Sequence, residues 1–274
     1  MWVIHNNEII LESELAISSY NRAFQYADGF FETIGLKNGS VRFIEDHISR
    51  MKRGAKVFSY HLPEELSQKE LLLNRLNDLL TKNNLATDAI IKIIIWRKGG
   101  GKYVPEGNDI EYLLRVEPKQ WNNEAVLLNK VMLFDQFINI YSRISSIKTI
   151  ASTNYVLAGV YKKDHQADDL ILLGEDRSIS ECLYSNIFWF ENETLYTPSY
   201  LTGCIDGIMR KQILKSCIEN DIPFQEGVFN LDDLMKADFV FNCNISGFSI
   251  IRELKEKIFE QESQLFEMLI KNLK

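Results

Sequence analysis

Two segments in the middle of the chain determine its fold. They read SSIKTIASTNYVLAGVYKK (145–163) and DDLILLGEDRSISECLYSNIFWFENETLYTPSYLTGCIDGIMR (168–210). The first places Lys148 just before an apolar run with helical spacing. The second predicts a short apolar strand, an isolated Glu181 beside another strand, and a polar turn that opens a helix. Separate elements therefore supply an amine, a carboxylate and a row of backbone N–H groups.

The composition around these segments is that of an ordinary globular protein. The chain has 274 residues, of which 46% are hydrophobic and 25% are charged, enough for one large domain or two modest ones. The net charge of -7 argues against a surface for nucleic acid or for an anionic membrane, since either would require a basic field. We therefore expect no nucleic-acid partner.

The cysteines and the N-terminus bear on compartment and metal binding. The four cysteines are scattered, with no CxxC pair and no clustered histidine, so we predict buried free thiols and neither a metal site nor a disulfide framework. The segment MWVIHNNEII lacks the basic and apolar regions of a signal peptide, and no apolar run approaches the length of a membrane span. We expect a cytoplasmic protein with no membrane partner.

The first half of the chain predicts two β-hairpins, two helices and two strands. WVIHNNEII (2–10) and FFETIGLKNGSVRF (30–43) are typical of hairpins, the second with Asn38-Gly39 at its turn. Apolar periodicity predicts helices at 44–58 and from about Pro63 to Lys82. Strands are predicted at 90–96, with both faces buried, and at 110–116.

The second half predicts further strands and helices. The strands are expected at 126–134, 169–173, 185–191, 194–197 and 237–244. The helices are expected at about 152–164, 206–220, 231–236 and 252–273.

A polar, proline-containing stretch, EPKQWNN (117–123), marks the boundary between the halves. It gives a smaller N-terminal α/β domain at 1–117, a linker at 118–123 and a larger C-terminal domain at 124–274. The predicted fold class is α/β with mixed sheets, in two domains with a ligand cleft expected between them.

Lys148 and Glu181 are the candidate reactive groups. A lysine that is partly removed from water can lose its proton and act as a nucleophile, whereas the alternative is an exposed surface lysine. Glu181 is a lone carboxylate among apolar and small residues, and such a group can hold a protonated ring nitrogen. The alternative for Glu181 is a cap or an edge-strand position.

Other residues predict an anion site. Backbone N–H groups of the turn 203–207 precede a helix and suit a phosphate, although Asp206 is equally explained as an N-cap. Arg50 would complete phosphate binding, or else lie exposed on its helix. His47, one turn earlier, is interpreted as a satisfied structural histidine.

The loop that begins at Arg97 is basic and glycine-rich. RKGGGKY (97–103) lacks the spacing and the Ser/Thr of a P-loop, so we interpret it as a mobile flap over an anionic substrate. The alternative is a solvated loop. Phe31, in the Phe30-Phe31 pair, either walls the site or belongs to the core.

In their order, these segments resemble the class IV aminotransferases, the fold type IV enzymes that use pyridoxal 5'-phosphate (PLP). The family includes branched-chain aminotransferases, D-amino acid aminotransferase and 4-amino-4-deoxychorismate lyase. The resemblance implies a smaller N-terminal and a larger C-terminal domain with the cofactor between them, and usually a homodimer. It is carried by QYADGFFETIGLKNG (25–39), VRFIEDHISRM (41–51), IKTIASTNYVLAG (147–159), SECLYSNIFWF (180–190) and LYTPSYLTGCIDGIMR (195–210).

The resemblance also implies residue roles. Lys148 corresponds to the lysine that forms the internal aldimine and then moves protons. Glu181 corresponds to the partner of the pyridine nitrogen, and Asn186 to a supporting asparagine. The implied phosphate contacts are Arg50, Ile205, Asp206, Ser246 and Gly247.

The departures from the family pattern concern the substrate. Aminotransferases often have Gly-Ile-Thr-Arg where this chain has GIMR, which together with ECxxxNxFW is more similar to the lyase. Glu32, in FFET, is a residue that the aminotransferases commonly keep, although some lyases have it too. The Arg-x-His pair of the D-amino acid enzyme is absent, and its tyrosine is replaced by phenylalanine. The predicted substrate contacts are Phe31, Arg97, Lys102 and Tyr103.

We therefore expect a PLP-dependent aminotransferase that moves the amino group of an amino acid to a 2-oxo acid through Lys148. The alternative is 4-amino-4-deoxychorismate lyase, which releases pyruvate to give 4-aminobenzoate. A third hypothesis is a non-catalytic scaffold with the same fold. For either enzyme the partners are small amino and keto acids.

Overall fold

The computed structural model describes residues 1–271 and 273, which divide into two compact units. Unit 1 comprises Met1–Trp121 and Ile147–Ala151. Unit 2 comprises Asn122–Ser146 and the chain from Ser152 onwards. The predicted division placed 147–151 in the second domain, and the structure assigns this segment to unit 1.

Unit 1 contains one antiparallel sheet. Its strands are β1 (Trp2–His5), β2 (Glu8–Leu11), β3 (Gly29–Lys37), β4 (Ser40–Val41), β5 (Ala89–Arg97) and β6 (Ile110–Pro118). They pair in the order β2-β1-β6-β5-β3-β4. Both hairpins predicted from the sequence are confirmed, as β1-β2 and β3-β4.

The helices of unit 1 are α1 (Arg22–Tyr26), α2 (Ile44–Phe58), α3 (Glu64–Ser67) and α4 (Lys69–Lys82). A 3-10 turn covers Glu12–Glu14. The helix predicted at 44–58 is confirmed. The single helix predicted at 63–82 is wrong, because Gln68 adopts an extended conformation (φ -108°, ψ 130°) and separates α3 from α4.

Helices α2 and α4 cover one face of the unit 1 sheet. Ile48, Met51 and Ala55 of α2 pack in one core with Ile91 and Ile93 of β5. On the other face of β5, Ile90, Lys92 and Ile94 are only partly buried, whereas Trp96 is buried. The prediction that this strand is buried on both faces is therefore wrong except at Trp96.

The segment 147–151 extends the sheet at the start of β3. The Phe31 N–H donates to Lys148 O at 2.8 Å, and the Ile150 N–H donates to Gly29 O at 3.0 Å. A Cβ atom on Gly29 would lie 2.4 Å from the main-chain oxygen of Ile95 and 2.5 Å from Ile150 Cδ1, so glycine is required here. Main-chain pairing with β3 therefore explains why the segment belongs to unit 1.

Unit 2 contains two sheets. Its strands are β7 (Val126–Leu128), β8 (Val131–Asn139), β9 (Asp169–Gly174), β10 (Ile179–Cys182), β11 (Asn186–Glu191), β12 (Thr194–Pro198), β13 (Phe224–Gly227), β14 (Phe239–Asn244), β15 (Gly247–Ile251), β16 (Glu253–Leu254) and β17 (Lys257–Ile258). The orders are β10-β9-β8-β16-β17 and β13-β12-β11-β14-β15-β7. The one strand predicted at 126–134 is therefore two, which lie in different sheets.

The helices of unit 2 are α5 (Thr153–Asp164), α6 (Ile208–Glu219), α7 (Leu231–Leu234) and α8 (Gln264–Ile270). Single 3-10 turns cover Glu175–Arg177 and Tyr200–Thr202. The long helix predicted at 252–273 is wrong, because Lys255 has a positive φ of 56° and makes the turn of the β16-β17 hairpin. Asn272, within that predicted helix, lies outside the described residues.

The two sheets of unit 2 share a core. Val131 and Ile171 of one sheet pack in the same cluster as Ile187, Trp189 and Val240 of the other. Among the described residues, no helix has the length and apolar character needed to cross a membrane.

Candidate active site

Arg50 and Glu32 form a buried ion pair in unit 1. Arg50 Nε lies 2.7 Å from Glu32 Oε1 and Nη2 lies 2.6 Å from Oε2, so the guanidinium donates to both oxygens. The two side chains are 6% and 1% exposed. His47 places its Nδ1 2.6 Å from Glu32 Oε2. Arg50, predicted as a phosphate contact, is thus fixed inside a three-residue cluster.

Glu32 is the ionised centre of this cluster. Burial raises the pKa of its carboxyl group, but the charge of Arg50 and hydrogen bonds from His47 and Arg50 outweigh burial, and the pKa falls to about 2. An ionised carboxylate only accepts hydrogen bonds, so His47 Nδ1 carries the shared proton. His47 Nε2 is buried and has no hydrogen-bond partner among the described residues. The predicted satisfied histidine is therefore satisfied at one nitrogen only.

Lys148 lies against the ring of Phe31, also in unit 1. Its Nζ is 4.7 Å from the ring centroid, and its side chain is half-buried. The hydrogen bonds between 147–151 and β3 hold the main chain from the carbonyl group of Lys148 to the N–H of Ile150. The amine is therefore presented from a rigid edge, against the aromatic residue that the sequence predicted as a wall.

Glu181 is buried in unit 2 within a set of donors. Its Oε1 accepts hydrogen bonds from Tyr155 Oη at 2.6 Å and Asn139 Nδ2 at 3.3 Å. Its Oε2 accepts the Ile205 N–H at 3.1 Å. Burial and the charge of Glu181 raise the pKa of the Tyr155 hydroxyl above its usual range and that of the Cys204 thiol to about 12.

The backbone N–H groups that are open to an anion at the start of the next helix are not the ones that the sequence predicted. The N–H of Ile205 is used by Glu181, and that of Asp206 donates to Ser146 O at 3.1 Å. Helix α6 begins two residues later, at Ile208, with no side-chain cap on its first turn. Because the first N–H groups of a helix lack intrahelical acceptors, the donors that suit an anion are those of Ile208 and Met209.

Gly207 and Asn186 shape this helix start. Asn186 Nδ2 donates to Ile205 O at 2.8 Å, and a Cβ atom on Gly207 would lie 2.1 Å from Asn186 Oδ1. Glycine is therefore required at the N-cap of α6. Asn186 supports the turn, which is the kind of role that the sequence predicted for it.

Ser246 and Gly247 lie in the tight turn between β14 and β15. The Ser246 N–H donates to Asn244 Oδ1 at 2.7 Å, and Gly247 has a φ of 138°. The amide of Ser246, predicted as a phosphate contact, is therefore occupied by the turn itself.

Arg97 is buried in unit 1 rather than placed on the loop surface. Its Nε donates to Asp28 Oδ2 at 2.9 Å, its Nη1 to Asn108 Oδ1 at 2.7 Å and its Nη2 to Phe58 O at 2.8 Å. The guanidinium also lies over the Tyr60 ring. Since structural acceptors take these donors, Arg97 holds the base of the loop, and its role as a substrate contact stays a prediction.

The rest of the loop is tied down by Arg22. Its Nε donates to Asp28 Oδ2 at 2.8 Å, and its Nη1 bonds to the carbonyl oxygens of residues 100–102. Burial raises the pKa of Asp28, but hydrogen bonds from arginines and Tyr60 outweigh it, and the pKa falls below its usual value. The predicted mobile flap is thus anchored at its glycines, while Lys102 and Tyr103 are exposed at its tip.

Several residues of these clusters were missed by sequence reasoning. Tyr155 and Asn139 meet Glu181 only through the pairing of distant segments, so no local pattern identified them. Lys92 Nζ lies 4.5 Å from the centroid of Phe31. Strand alternation, applied to β5, would have placed Lys92 on the partly open face of the sheet.

The comparisons with known proteins agree on the family and name two different activities within it. A family model described as amino-transferase class IV matches residues 29–254. The aminodeoxychorismate lyase of Bacillus subtilis is 26% identical over 249 residues, which cover 87% of this chain and 81% of that protein. The D-alanine aminotransferase of Listeria monocytogenes is 25% identical over 245 residues, which cover 88% and 83%.

The fold is also similar to a solved structure. The branched-chain amino acid aminotransferase of Escherichia coli superposes with a TM-score of 0.88 at 20% sequence identity. The match covers 99% of this chain and 93% of that chain.

Proposed function

Because the chain belongs to the class IV aminotransferase family, we propose that it transfers the amino group of an amino acid to a 2-oxo acid. Members of this family are PLP-dependent enzymes. The observation that carries the proposal is Lys148, which corresponds to the family's cofactor lysine and is held half-buried against Phe31. Its paired main chain supports a catalytic position better than a solvated one.

Each unit, taken by itself, contains groups that suit PLP. In unit 1 a half-buried amine and a buried guanidinium suit an aldehyde and a phosphate. In unit 2 a buried carboxylate suits a protonated ring nitrogen, and the uncapped start of α6 suits a phosphate. When bound, PLP supplies an electrophilic carbon and a ring that accepts electron density from the substrate.

The chemistry of this chain then follows from its own groups. Lys148 Nζ takes the proton from the substrate carbon as a general base and returns it as a general acid. Glu181 keeps a proton on the ring nitrogen, because Tyr155 and the Ile205 N–H hold its carboxylate in one orientation.

For the phosphate we propose Arg50 in unit 1, as the family resemblance implies, and within unit 2, on separate grounds, the N–H groups of Ile208 and Met209. These two N–H groups replace the predicted donors Ile205 and Asp206, because the amides of Ile205 and Asp206 already donate to Glu181 and to Ser146 O. Ser246 and Gly247 remain candidate phosphate contacts, because they lie in a tight turn between two strands. Lys102 and Tyr103 remain candidate substrate contacts, because they are exposed at the tip of the anchored loop.

We also propose that the protein is a cytoplasmic homodimer. Val156, Leu157 and Val160 form an apolar strip on α5 that is more than half exposed. A second copy of this chain would bury such a strip. The four cysteines are buried free thiols, which is consistent with a reducing compartment.

A second candidate function is 4-amino-4-deoxychorismate lyase. Met209 stands where aminotransferases of the family often have threonine, and so the first turn of α6 lacks a side-chain hydroxyl there. The similarity to the B. subtilis lyase is as close as that to the Listeria aminotransferase. In this reaction, the proton chemistry of Lys148 would lead to loss of pyruvate instead of amino transfer.

The deciding experiment supplies PLP-loaded protein with a panel of amino donors and 2-oxoglutarate, and in parallel with 4-amino-4-deoxychorismate. We expect glutamate to form, and Lys148→Ala to abolish it while Lys82→Ala does not. Pyruvate release without amino transfer from any donor would establish the lyase instead. Protein without visible cofactor absorbance, and without a borohydride-trapped adduct at Lys148, would contradict both activities.

A further inference from the structure

The loop between β5 and β6 is folded around one buried guanidinium group. Arg22, the first residue of α1, is 4% exposed, and its Nη1 donates to the main-chain oxygens of Gly100, Gly101 and Lys102 at 3.1, 2.9 and 2.9 Å. Three successive carbonyl groups converge on one nitrogen only where the backbone turns sharply. Gly99 and Gly101 supply this turn with φ values of 94° and 84°, which favour glycine.

This conformation of the loop depends on a residue outside the loop. Carbonyl oxygens carry partial negative charges that repel one another, so their convergence is stabilised by a cation between them. Arg22 provides that cation, although it lies 78 residues before Gly100 in the chain. Without the guanidinium the three carbonyl groups would be buried around an empty space, and we expect the loop to open towards water.

Asp28 connects this anchor to the base of the loop. Its Oδ2 accepts hydrogen bonds from Arg22 Nε at 2.8 Å and from Arg97 Nε at 2.9 Å, and its Oδ1 accepts the Tyr60 hydroxyl at 3.0 Å. Arg97 Nη1 in turn donates to Asn108 Oδ1 at 2.7 Å, near the other end of the loop. One carboxylate therefore orients both arginines, and the two arginines hold the glycines and the base of the loop together.

The tip of the loop is exposed above this anchor. Tyr103 and Val104 are 90% and 83% exposed. The Tyr103 ring lies 5.8 Å from the ring of Tyr26, and the guanidinium of Arg22 lies 5.0 Å from the centroid of the same Tyr26 ring. Helix α1 thus contacts the tip as well as the glycines. An exposed tip on an ordered base suits ligand binding, because less conformational entropy is lost when the ligand binds.

We propose that Arg22 is a positioning residue, which folds the loop around its guanidinium and so presents Lys102 and Tyr103 to the substrate. This inference rests on the proposed function, because it takes Lys102 and Tyr103 as substrate contacts. Arg22 would act on substrate binding through the loop, without contact with the reacting atoms. Lysine should not replace it, because one ammonium group cannot reproduce the separate bonds of Nε to Asp28 and of Nη1 to the loop.

Limited digestion of the PLP-loaded protein with trypsin tests the anchor without any substrate. Trypsin cleaves after lysine, here Lys98 and Lys102, and it requires a segment that opens locally. We expect Arg22→Met to be cleaved at these two sites about 10- to 100-fold faster than wild type, the range for loss of hydrogen bonds to a charged group. Arg22→Lys should also be cleaved faster than wild type. Equal rates in wild type and Arg22→Met would overturn the anchoring role.

The matched control is Arg75→Met. Arg75 Nη2 also donates to a main-chain oxygen, that of Asn7 at 2.5 Å, but in the turn between β1 and β2. Its replacement should leave cleavage at Lys98 and Lys102 unchanged. In Arg22→Met the faster cleavage should be confined to the loop, with normal cofactor absorbance. Faster cleavage along the whole chain, with loss of cofactor absorbance, would assign Arg22 to the stability of the fold and contradict a positioning role.

Steady-state kinetics tests the consequence for the substrate. The substrate is the amino compound that turns over, by amino transfer or by pyruvate release, in the experiment that decides the reaction. Arg22→Met should raise its KM about 10-fold and change kcat less than about threefold, the pattern of a lost binding interaction. The double substitution Lys102→Ala, Tyr103→Ala should raise KM in the same way.

Combining Arg22→Met with the double substitution at the tip separates an effect through the loop from an independent one. If Arg22 acts through the tip, the combined variant should have a KM within about twofold of the higher of the two parent values. Losses that multiply, or an unchanged KM in the tip variant, would overturn the role in substrate binding. If wild type catalyses neither reaction, the proposed function fails and this role fails with it, whereas the trypsin result still decides whether Arg22 holds the loop.

Discussion

At the scale of residues, the protein buries individual charges and pairs them with groups of opposite charge, as it does for Arg50. Glu32 holds Arg50 at two nitrogens, which fixes the guanidinium plane before any anion arrives. Such a bidentate pair gives orientation in addition to charge. The orientation of this buried guanidinium is therefore set by the protein itself.

The buried pair predicts the effect of Glu32→Gln. The substitution preserves size but leaves Arg50 buried without its counter-ion, so we expect the free energy of unfolding to fall by about 2–4 kcal/mol. PLP affinity, measured by absorbance titration, should fall as well. Glu45→Gln is the control, because Glu45 pairs with Lys69 at the surface and its loss should cost less than about 1 kcal/mol. Equal losses in the two variants would show that Glu32 does not anchor Arg50.

A second buried acid predicts a pH dependence. Burial raises the pKa of Asp169 to about 6, although the Leu170 N–H and Asn242 Nδ2 donate to it. The folded protein binds this proton more tightly than the unfolded chain, so stability is lost as pH rises from about 4 through about 6. Asp169→Asn stays neutral, so it should gain about 1–3 kcal/mol over wild type at pH 8 and less than about 1 kcal/mol at pH 4.

Urea unfolding at both pH values measures this difference. Asp135→Asn is the control, since Asp135 forms an exposed ion pair with Arg177 and its replacement should change stability little at either pH. A loss of stability in Asp169→Asn that is equal at pH 4 and pH 8 would mean that the ionised carboxylate is well accommodated.

At the scale of elements, the sequence predicted those parts whose determinants are local. The apolar periodicity of α2 and the Asn38-Gly39 turn each lie within one segment, and both elements are confirmed. The family resemblance is confirmed as well. The final helix failed because a positive φ at Lys255 turns the chain into a hairpin, which periodicity does not reveal.

The candidate site, like the fold, was predictable from the sequence where its determinants are local. Lys148, Glu181 and Arg50 stand in recognisable motifs, and their roles remain proposals. The partners Tyr155 and Asn139 were not predictable, because long-range pairing brings them to Glu181. The start of α6 was predicted at residue 206 and is observed at Ile208. The position of its N-cap depends on the contact with Asn186 and not on the glycines alone.

The N-cap of α6 predicts the effect of Gly207→Ala. The added Cβ would lie 2.1 Å from Asn186 Oδ1, and Asn186 cannot move without losing its hydrogen bond to Ile205 O. We expect a loss of about 1–3 kcal/mol in unfolding free energy and weaker PLP binding in the same titration. Gly159→Ala on α5 is the control, because its nearest atom is 3.9 Å away and it should cost nothing. Unchanged stability in Gly207→Ala would contradict the close packing of this turn.

At the scale of the whole molecule, the strip on α5 is an apolar surface that the packing of one chain leaves exposed. An apolar helix face left in water favours association with a second copy. The double substitution Val156→Glu, Val160→Glu should therefore convert the proposed dimer into a monomer, as measured by light scattering after size-exclusion chromatography. Ile218→Glu, at an equally exposed apolar position on α6, should remain dimeric. A dimer in both variants would place the interface elsewhere.

The pairing of 147–151 with β3 sets an order of events during protein synthesis. When a ribosome has released only residues 1–121, the edge of β3 at Gly29 and Phe31 still has an unsatisfied N–H and C=O. That edge closes only after the chain has grown past residue 150. Lys148, the proposed reactive lysine, is therefore placed against Phe31 by a segment that is synthesised after every strand of the sheet with which it pairs.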